Sequence, residues 1–213
     1  MLMNSLVGPT EMKRLAANMH SAAARMRKLL AEVSCAINGN KSTAEICDIN
    51  EIIAAAANSA SGSTEHRSVR VSLDVPRGME VSLVRSRIER VFFNLIVNAF
   101  EAMPGGGYVH ICASHAGSYV VVEIEDTGPG IQDEIRERIF HPFVTAGKAN
   151  GLGLGLCLSR QAILDHGGDL WIETAPGARF VMRFPLNRVP EYWDELHPSS
   201  GQESKTDVGV RRA

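Results

Sequence analysis

Between residues 69 and 185 the chain switches repeatedly between a two-residue and a 3.6-residue apolar period, and this switching constrains the fold more than any other feature. Val69, Val71 and Leu73 alternate as a strand. Residues 86–103 carry a helical period that stops at Pro104 and three glycines. Residues 108–115 and 119–125 read as a strand pair around Ala116-Gly117. Residues 132–140 read as a short helix, and 154–166 as a longer one closed by Gly167-Gly168. Residues 170–174 and 179–184 form a hairpin across Pro176-Gly177. Paired strands with helices over one face predict an α/β two-layer sandwich. At 45% hydrophobic and 22% charged residues, the chain has the material for a packed core.

The N-terminal region has a different rhythm. Leu15, Met19, Ala22, Met26, Leu29, Val33 and Ala36 step alternately by four and three, a heptad seam that Gly39 ends. Residues 46–57 read as a second helical stretch. A lone amphipathic helix cannot bury its seam. It packs on its own domain or pairs in a dimeric bundle, and the pattern leaves both open. The resulting division is a helical, dimerisation-type segment over 1–60, a globular domain over 65–187 and a polar tail over 188–213.

Composition narrows the function classes. A net charge of -2 gives no basic excess, so no broad nucleic-acid surface is expected. Cys35, Cys47, Cys112 and Cys157 form no CxxC pair and read as reduced thiols, which predicts a cytoplasmic protein. No apolar run approaches a membrane span.

Four local patterns carry chemistry. Asn94, Asn98 and Glu101 share one face of the 86–103 helix with Arg90, while Val91, Phe92 and Leu95 form its buried side. An amide oxygen on such a face suits a hard cation such as Mg²⁺, though a solvated face is the plainer explanation. Asp126-Thr-Gly128-Pro-Gly130 follows a strand directly; it is good turn chemistry, and it also lets backbone approach a flat ligand beside a carboxylate. Gly151, Gly153 and Gly155 lead into a helix, whose N-terminal amides suit phosphates. The spacing is neither a Walker A loop nor a Rossmann fingerprint, because Pro142 stands where the first Walker glycine would fall before Gly147-Lys148. Finally, Phe140 and Phe143 bracket Pro142, and residues 144–153 read as a mobile lid.

Taken in chain order, from Asn94 through Asp126 and Phe140 to Gly151, the four patterns resemble the N, G1, F and G2 boxes of the ATP-binding domain of sensor histidine kinases, within the group that includes gyrase B, Hsp90 and MutL. Residues 165–168, Asp-His-Gly-Gly, also match, as does the run 102–106, which is similar to the nitrogen-regulator subgroup. The resemblance implies a mixed sheet covered by helices on one face. It implies that Asn98 holds Mg²⁺ and that Asn94 lies at the phosphates as the catalytic-position residue. Asp126 would bind the adenine amino group, with Gly128 and Gly130 admitting the base. Gly151, Gly153, Leu154 and Gly155 would wrap the phosphates, assisted by Lys148. ATP-hydrolysing members carry a water-activating glutamate where this chain has Asn94, so transfer to a protein side chain is expected instead.

The implied partners are ATP, a response regulator, a histidine-bearing kinase segment and a second copy of the chain paired through the N-terminal helix. The resemblance has gaps. None of the seven histidines carries the acceptor motif, and His20 is followed by Ser21. Val84 stands where an aspartate often precedes the N-box helix, and Ala178 where a threonine often lines the adenine pocket. A nucleotide-binding, dimerising module without kinase activity and an anti-sigma-type serine kinase are the competing readings.

Overall fold

A computed structural model of the protein describes Glu11, Arg14, Met19 and residues 43–62, 68–145 and 153–186. The heptad seam apart from Met19, His20, Lys148, Gly151, most of the 144–153 stretch and the tail lie outside the described residues, as do the expectations placed on them. The described elements are β1 (Glu45–Asp48), α1 (Ile49–Ser61), β2 (Val69–Asp74), β3 (Glu80–Leu83), α2 (Arg85–Ala102), β4 (Gly107–Ala116), β5 (Tyr119–Asp126), α3 (Asp133–Arg136), α4 (Gly155–Leu164), β6 (Asp169–Thr174) and β7 (Ala178–Pro185).

Five strands form one sheet in the order β2-β4-β5-β7-β6, and β1 pairs with β3 in a separate ribbon. β2 runs parallel to β4 and every other neighbouring pair is antiparallel, so the sheet is mixed. Alternation decides which face is covered. In β4 and β5, Val109, Ile111, Val120, Val122 and Ile124 are buried, while His110, Glu123 and Glu125 stand on the other face. The buried face meets α2 through Ile88, Val91, Phe92, Leu95, Ile96, Ala99 and Phe100, a stripe at helical spacing. Each large side chain fully buried there contributes roughly 1.5–3 kcal/mol. α2 is flanked by α1 and α4, giving the two-layer sandwich expected.

The ribbon of β1 and β3 was not expected from the sequence, and two of the expected helices change. The helix expected over 46–57 is displaced: residues 45–48 are extended and pair with β3, and the helix runs Ile49–Ser61. Asp48 causes the change of period. Its Oδ1 accepts from Asn50 N at 3.0 Å as an N-cap, and its Oδ2 accepts from Gly78 N at 2.8 Å. Ile49, Ile52, Ile53 and Ala56 of α1 are fully buried in the same core as α2, so this stretch packs with the sheet domain rather than apart from it. The helix expected over 132–140 reduces to the single turn of α3, followed by further turns. It has no buried residue between Asp133 and Arg136 to hold a longer helix on the core.

The helix at 154–166 is shorter at both ends but closes where expected. Gly167, with φ of 71°, donates to Leu164 O, and Gly168 donates to Ile163 O, the paired bonds of a Schellman motif.

Candidate functional site

The site is built along α2, whose middle and C-terminal end face two different glycine turns. At its C-terminal end lies Asp126, the last residue of β5, only 5% exposed. Its Oδ1 accepts from Gly128 N at 2.9 Å and from Ala178 N at 3.2 Å. Both hydrogen bonds recorded for this carboxylate fall on Oδ1, which leaves Oδ2 as an acceptor for something else among the described residues. Burial pushes the Asp126 carboxyl above its ordinary value. The two backbone amides pull it back, and the neighbouring Glu125 charge adds to the rise.

Close packing fixes the turn around this carboxylate. A Cβ on Gly177 would lie 1.8 Å from Asp126 O, so only glycine admits the β6–β7 turn at that distance. A Cβ on Gly128 would lie 2.9 Å from Asp126 Oδ1 and 3.3 Å from Met103 Cγ. Gly130 has φ of 76° and packs against the carbonyls of Pro176 and Gly177. Thr127 Oγ1 accepts from Tyr108 N at 3.0 Å and donates to Met103 Sδ at 3.5 Å, which ties the turn to the end of α2.

Two turns back along α2, Asn94 and Asn98 are half-buried. The Asn94 amide nitrogen lies 3.9 Å from where a Cβ on Gly155 would stand, so the N-terminus of α4 faces Asn94 directly. Leu154 occupies the N-cap and supplies no side-chain hydrogen bond, leaving the first amides of α4 to other acceptors. Gly153 has φ of 66° and its carbonyl accepts from Phe143 N at 2.9 Å. Phe143 itself has φ of 66° and is 75% exposed, a left-handed conformation that is strained for an aromatic residue. From Asn94 to Ala102 is eight residues, about 12 Å along a helix, a span that an extended nucleoside triphosphate covers.

The structure thus sets Gly155 against Asn94, with Gly153 and Leu154 next to Gly155 in the chain and Asn98 one turn further along α2, and it brings Asp126, Gly128 and Gly130 together at the end of that helix. Sequence reasoning missed Gly177 and Met103. The first read as an ordinary hairpin turn and the second as the end of a helix. It also left the Asp-His-Gly-Gly run as a bare match. His166 is 3% exposed; its Nε2 accepts from Val84 N at 3.0 Å and its Nδ1 donates to Ala162 O at 2.5 Å. Arg87 pairs with Asp165 beside it. These bonds join the end of α4 to the start of α2, where Val84 offers no side-chain cap.

Comparison with known proteins agrees with this geometry. Residues 83–188 match the family of histidine kinase-, DNA gyrase B-, and HSP90-like ATPases. The alginate biosynthesis sensor protein KinB of Pseudomonas aeruginosa is 39% identical over 146 residues, covering 66% of this chain and 24% of KinB. The C4-dicarboxylate transport sensor protein DctB of Rhizobium meliloti is 36% identical over 116 residues, covering 53% of this chain and 18% of DctB. The chain therefore spans about a quarter or less of these two relatives. The solved catalytic domain of histidine kinase ThkA is 32% identical with a TM-score of 0.60, covering 66% of this chain and 95% of that domain. With the sheet order, the Asp126 turn and the Asn94 helix face all in place, the chain belongs to the histidine kinase-, DNA gyrase B- and HSP90-like ATPase family, as an ATP-binding domain of the sensor histidine kinase type.

Proposed function

We propose that the chain is the Mg-ATP-binding catalytic domain of a two-component sensor histidine kinase. The observation that carries this reading is the Asp126 carboxylate, held by two amides on one oxygen and left open on the other. Oδ2 accepts a hydrogen bond from the adenine 6-amino group, and a guanine carbonyl at that place would meet it with repulsion. The uncapped amides at the start of α4 receive the phosphates. Asn94 lies beside them and is not a base, so water is not activated there.

The Asn98 amide oxygen fits Mg²⁺ as one of few protein ligands. No group of three His, Cys, Asp or Glu side chains among the described residues offers a closed metal cage, so the rest of the shell falls to phosphates and water. When bound, the ion neutralises phosphate charge. The protein's part is positioning. The γ-phosphorus breaks its bond to the β-γ bridging oxygen and bonds to an imidazole nitrogen supplied by a partner chain or by a segment outside this one. ADP leaves, and a response regulator takes the phosphoryl group onward. Pairing through the N-terminal helix, a cytoplasmic location and the nitrogen-regulator likeness of residues 102–106 belong to the same proposal. The absence of an acceptor motif in the sequence favours one competing reading, a nucleotide-binding module that transfers nothing by itself.

Calorimetry of ATP binding, with and without Mg²⁺, tests the reading on wild type, Asp126→Asn and Asn98→Ala. Asp126→Asn keeps an oxygen for Gly128 and Ala178 but presents a donor to the adenine amine. It is expected to weaken ATP by about 10- to 150-fold, the 1.5–3 kcal/mol of a hydrogen bond to a charged group. Asn98→Ala is expected to abolish the gain from Mg²⁺ while leaving Mg-free binding. Full ATP affinity in Asp126→Asn would sink the assignment of the base end.

A further inference from the structure

We propose that Arg160 is a positioning residue for the phosphate end of the nucleotide site, acting through Phe140. The inference rests on the nucleotide reading above. Arg160 lies in the middle of α4, and its guanidinium stands 5.1 Å from the centroid of the Phe140 ring. Its Nη2 reaches Asp169 Oδ1 at 3.6 Å, at the start of β6. Its Nε is buried and bonds to no acceptor among the described residues. A buried donor without an acceptor is costly, and a surface arginine has easier places to go. What holds it there is the attraction of the guanidinium for the face of the Phe140 ring, where a more strongly hydrated ammonium is the poorer partner.

That contact is one of two ties between the same pair of segments. At the other end, Phe143 N donates to Gly153 O at 2.9 Å, and a Cβ on Gly153 would lie 2.6 Å from Phe143 C and from Val144 O. Residues 140–143 are therefore pinned along residues 153–160 at both ends. Gly153 stands two residues before Gly155, which faces Asn94. Arg160 thus sets where the left-handed Phe143 sits, and Phe143 sets the turn that delivers the first amides of α4. None of these contacts touches Asp126, Gly128 or Gly177, which hold the base end.

The two ends are separable by ligand. Adenosine reads the base end alone, and ATP reads both. Binding of each to the full chain is measured for wild type, Arg160→Met, Arg160→Lys and Phe140→Leu, with melting temperatures alongside. Arg160→Met and Phe140→Leu are expected to weaken ATP by about two- to fivefold while adenosine is unchanged, in line with a cation–π contact made by a partly exposed guanidinium. Arg160→Lys is expected to rescue only part, since it keeps the charge for Asp169 but replaces the weakly hydrated guanidinium over the ring by an ammonium. Their double variant is expected to be no weaker than either single one, because both remove the same contact. An unchanged ATP affinity in Arg160→Met overturns the proposal, and so does an equal loss for ATP and adenosine, which would mark a general structural role. Wild type that binds neither ligand would instead overturn the nucleotide reading, and the proposal with it.

Discussion

The base end and the phosphate end of the site are built by opposite means. Around Asp126 the backbone is packed to contact: two amides converge on one oxygen, Gly177 has no room for a methyl group, and Met103 fills the space under the turn. Around Asn94 there is room: the helix start is uncapped, Asn94 and Asn98 are half-exposed, and Gly155 faces the Asn94 amide across an ordinary van der Waals distance. A flat, rigid base is best met by a preformed slot, while charged phosphates are best met by donors that can still adjust. The contrast means that one substitution, glycine to alanine, should have unlike results at Gly177 beside Asp126 and at Gly155 beside Asn94.

The largest effect is expected at Gly177→Ala. The added carbon cannot coexist with Asp126 O, so β7 must shift and Ala178 N must leave Oδ1. Overpacking of this kind costs about 1–3 kcal/mol, read from chemical denaturation, and the displaced carboxylate should lose adenosine and ATP alike. Normal stability with normal adenosine binding would show that the slot is not as closed as its geometry says.

The same contrast explains what was legible in the sequence. The sheet strands were legible because Val109, Ile111, Val120, Val122 and Ile124 alternate onto one face, and α2 was legible because its buried stripe keeps a helical step. Asn94, Asp126 and Gly155 sit within local patterns that chemistry makes recognisable. β1 and β3 were not legible, since four residues show too little period and the apolar run of α1 begins right behind Asp48. Gly177 was hidden for another reason. Its constraint comes from Asp126, 51 positions earlier, and no local pattern records a contact made only when β5 and β7 pair. The His166 bond to Val84 spans 82 positions and was hidden in the same way.

The next effect is a pH dependence in which two groups act in opposite directions. Burial, aided by the neighbouring Arg87 charge, lowers the His166 value below 6.5, and the neutral ring is the form that accepts from Val84 N. The unfolded chain then binds the proton first, so stability falls as pH drops from about 6.5 toward the folded value. Asp126 has a raised value, so its contribution is complete below 3.8 and is lost as pH rises through its folded value. Melting temperature between pH 8 and 5 should therefore decline for wild type on the acid side. His166→Gln should be less stable by about 1–3 kcal/mol near neutrality, with a shallower acid decline. Asp126→Asn should be at least as stable as wild type at pH 7, since it removes an ionised group that burial disfavours. An acid decline as steep in His166→Gln as in wild type would assign the dependence elsewhere.

The smallest effect, and the sharpest test of the contrast, is expected at Gly155→Ala. The site has no positive φ to preserve, and the new methyl would rest 3.9 Å from Asn94 Nδ2, so nothing must move. In the first turn of α4 the loss of glycine freedom in the unfolded chain should raise stability by about 0.4–1 kcal/mol. The methyl narrows the space that phosphates share with Asn94, so ATP should weaken by a few-fold, about 1 kcal/mol or less, while adenosine is untouched. Gly177→Ala and Gly155→Ala would then differ in the sign of their stability change and in which ligand reports them. If Gly155→Ala instead weakens adenosine as much as ATP, the two ends form one rigid body, and the adjustable phosphate end must be given up.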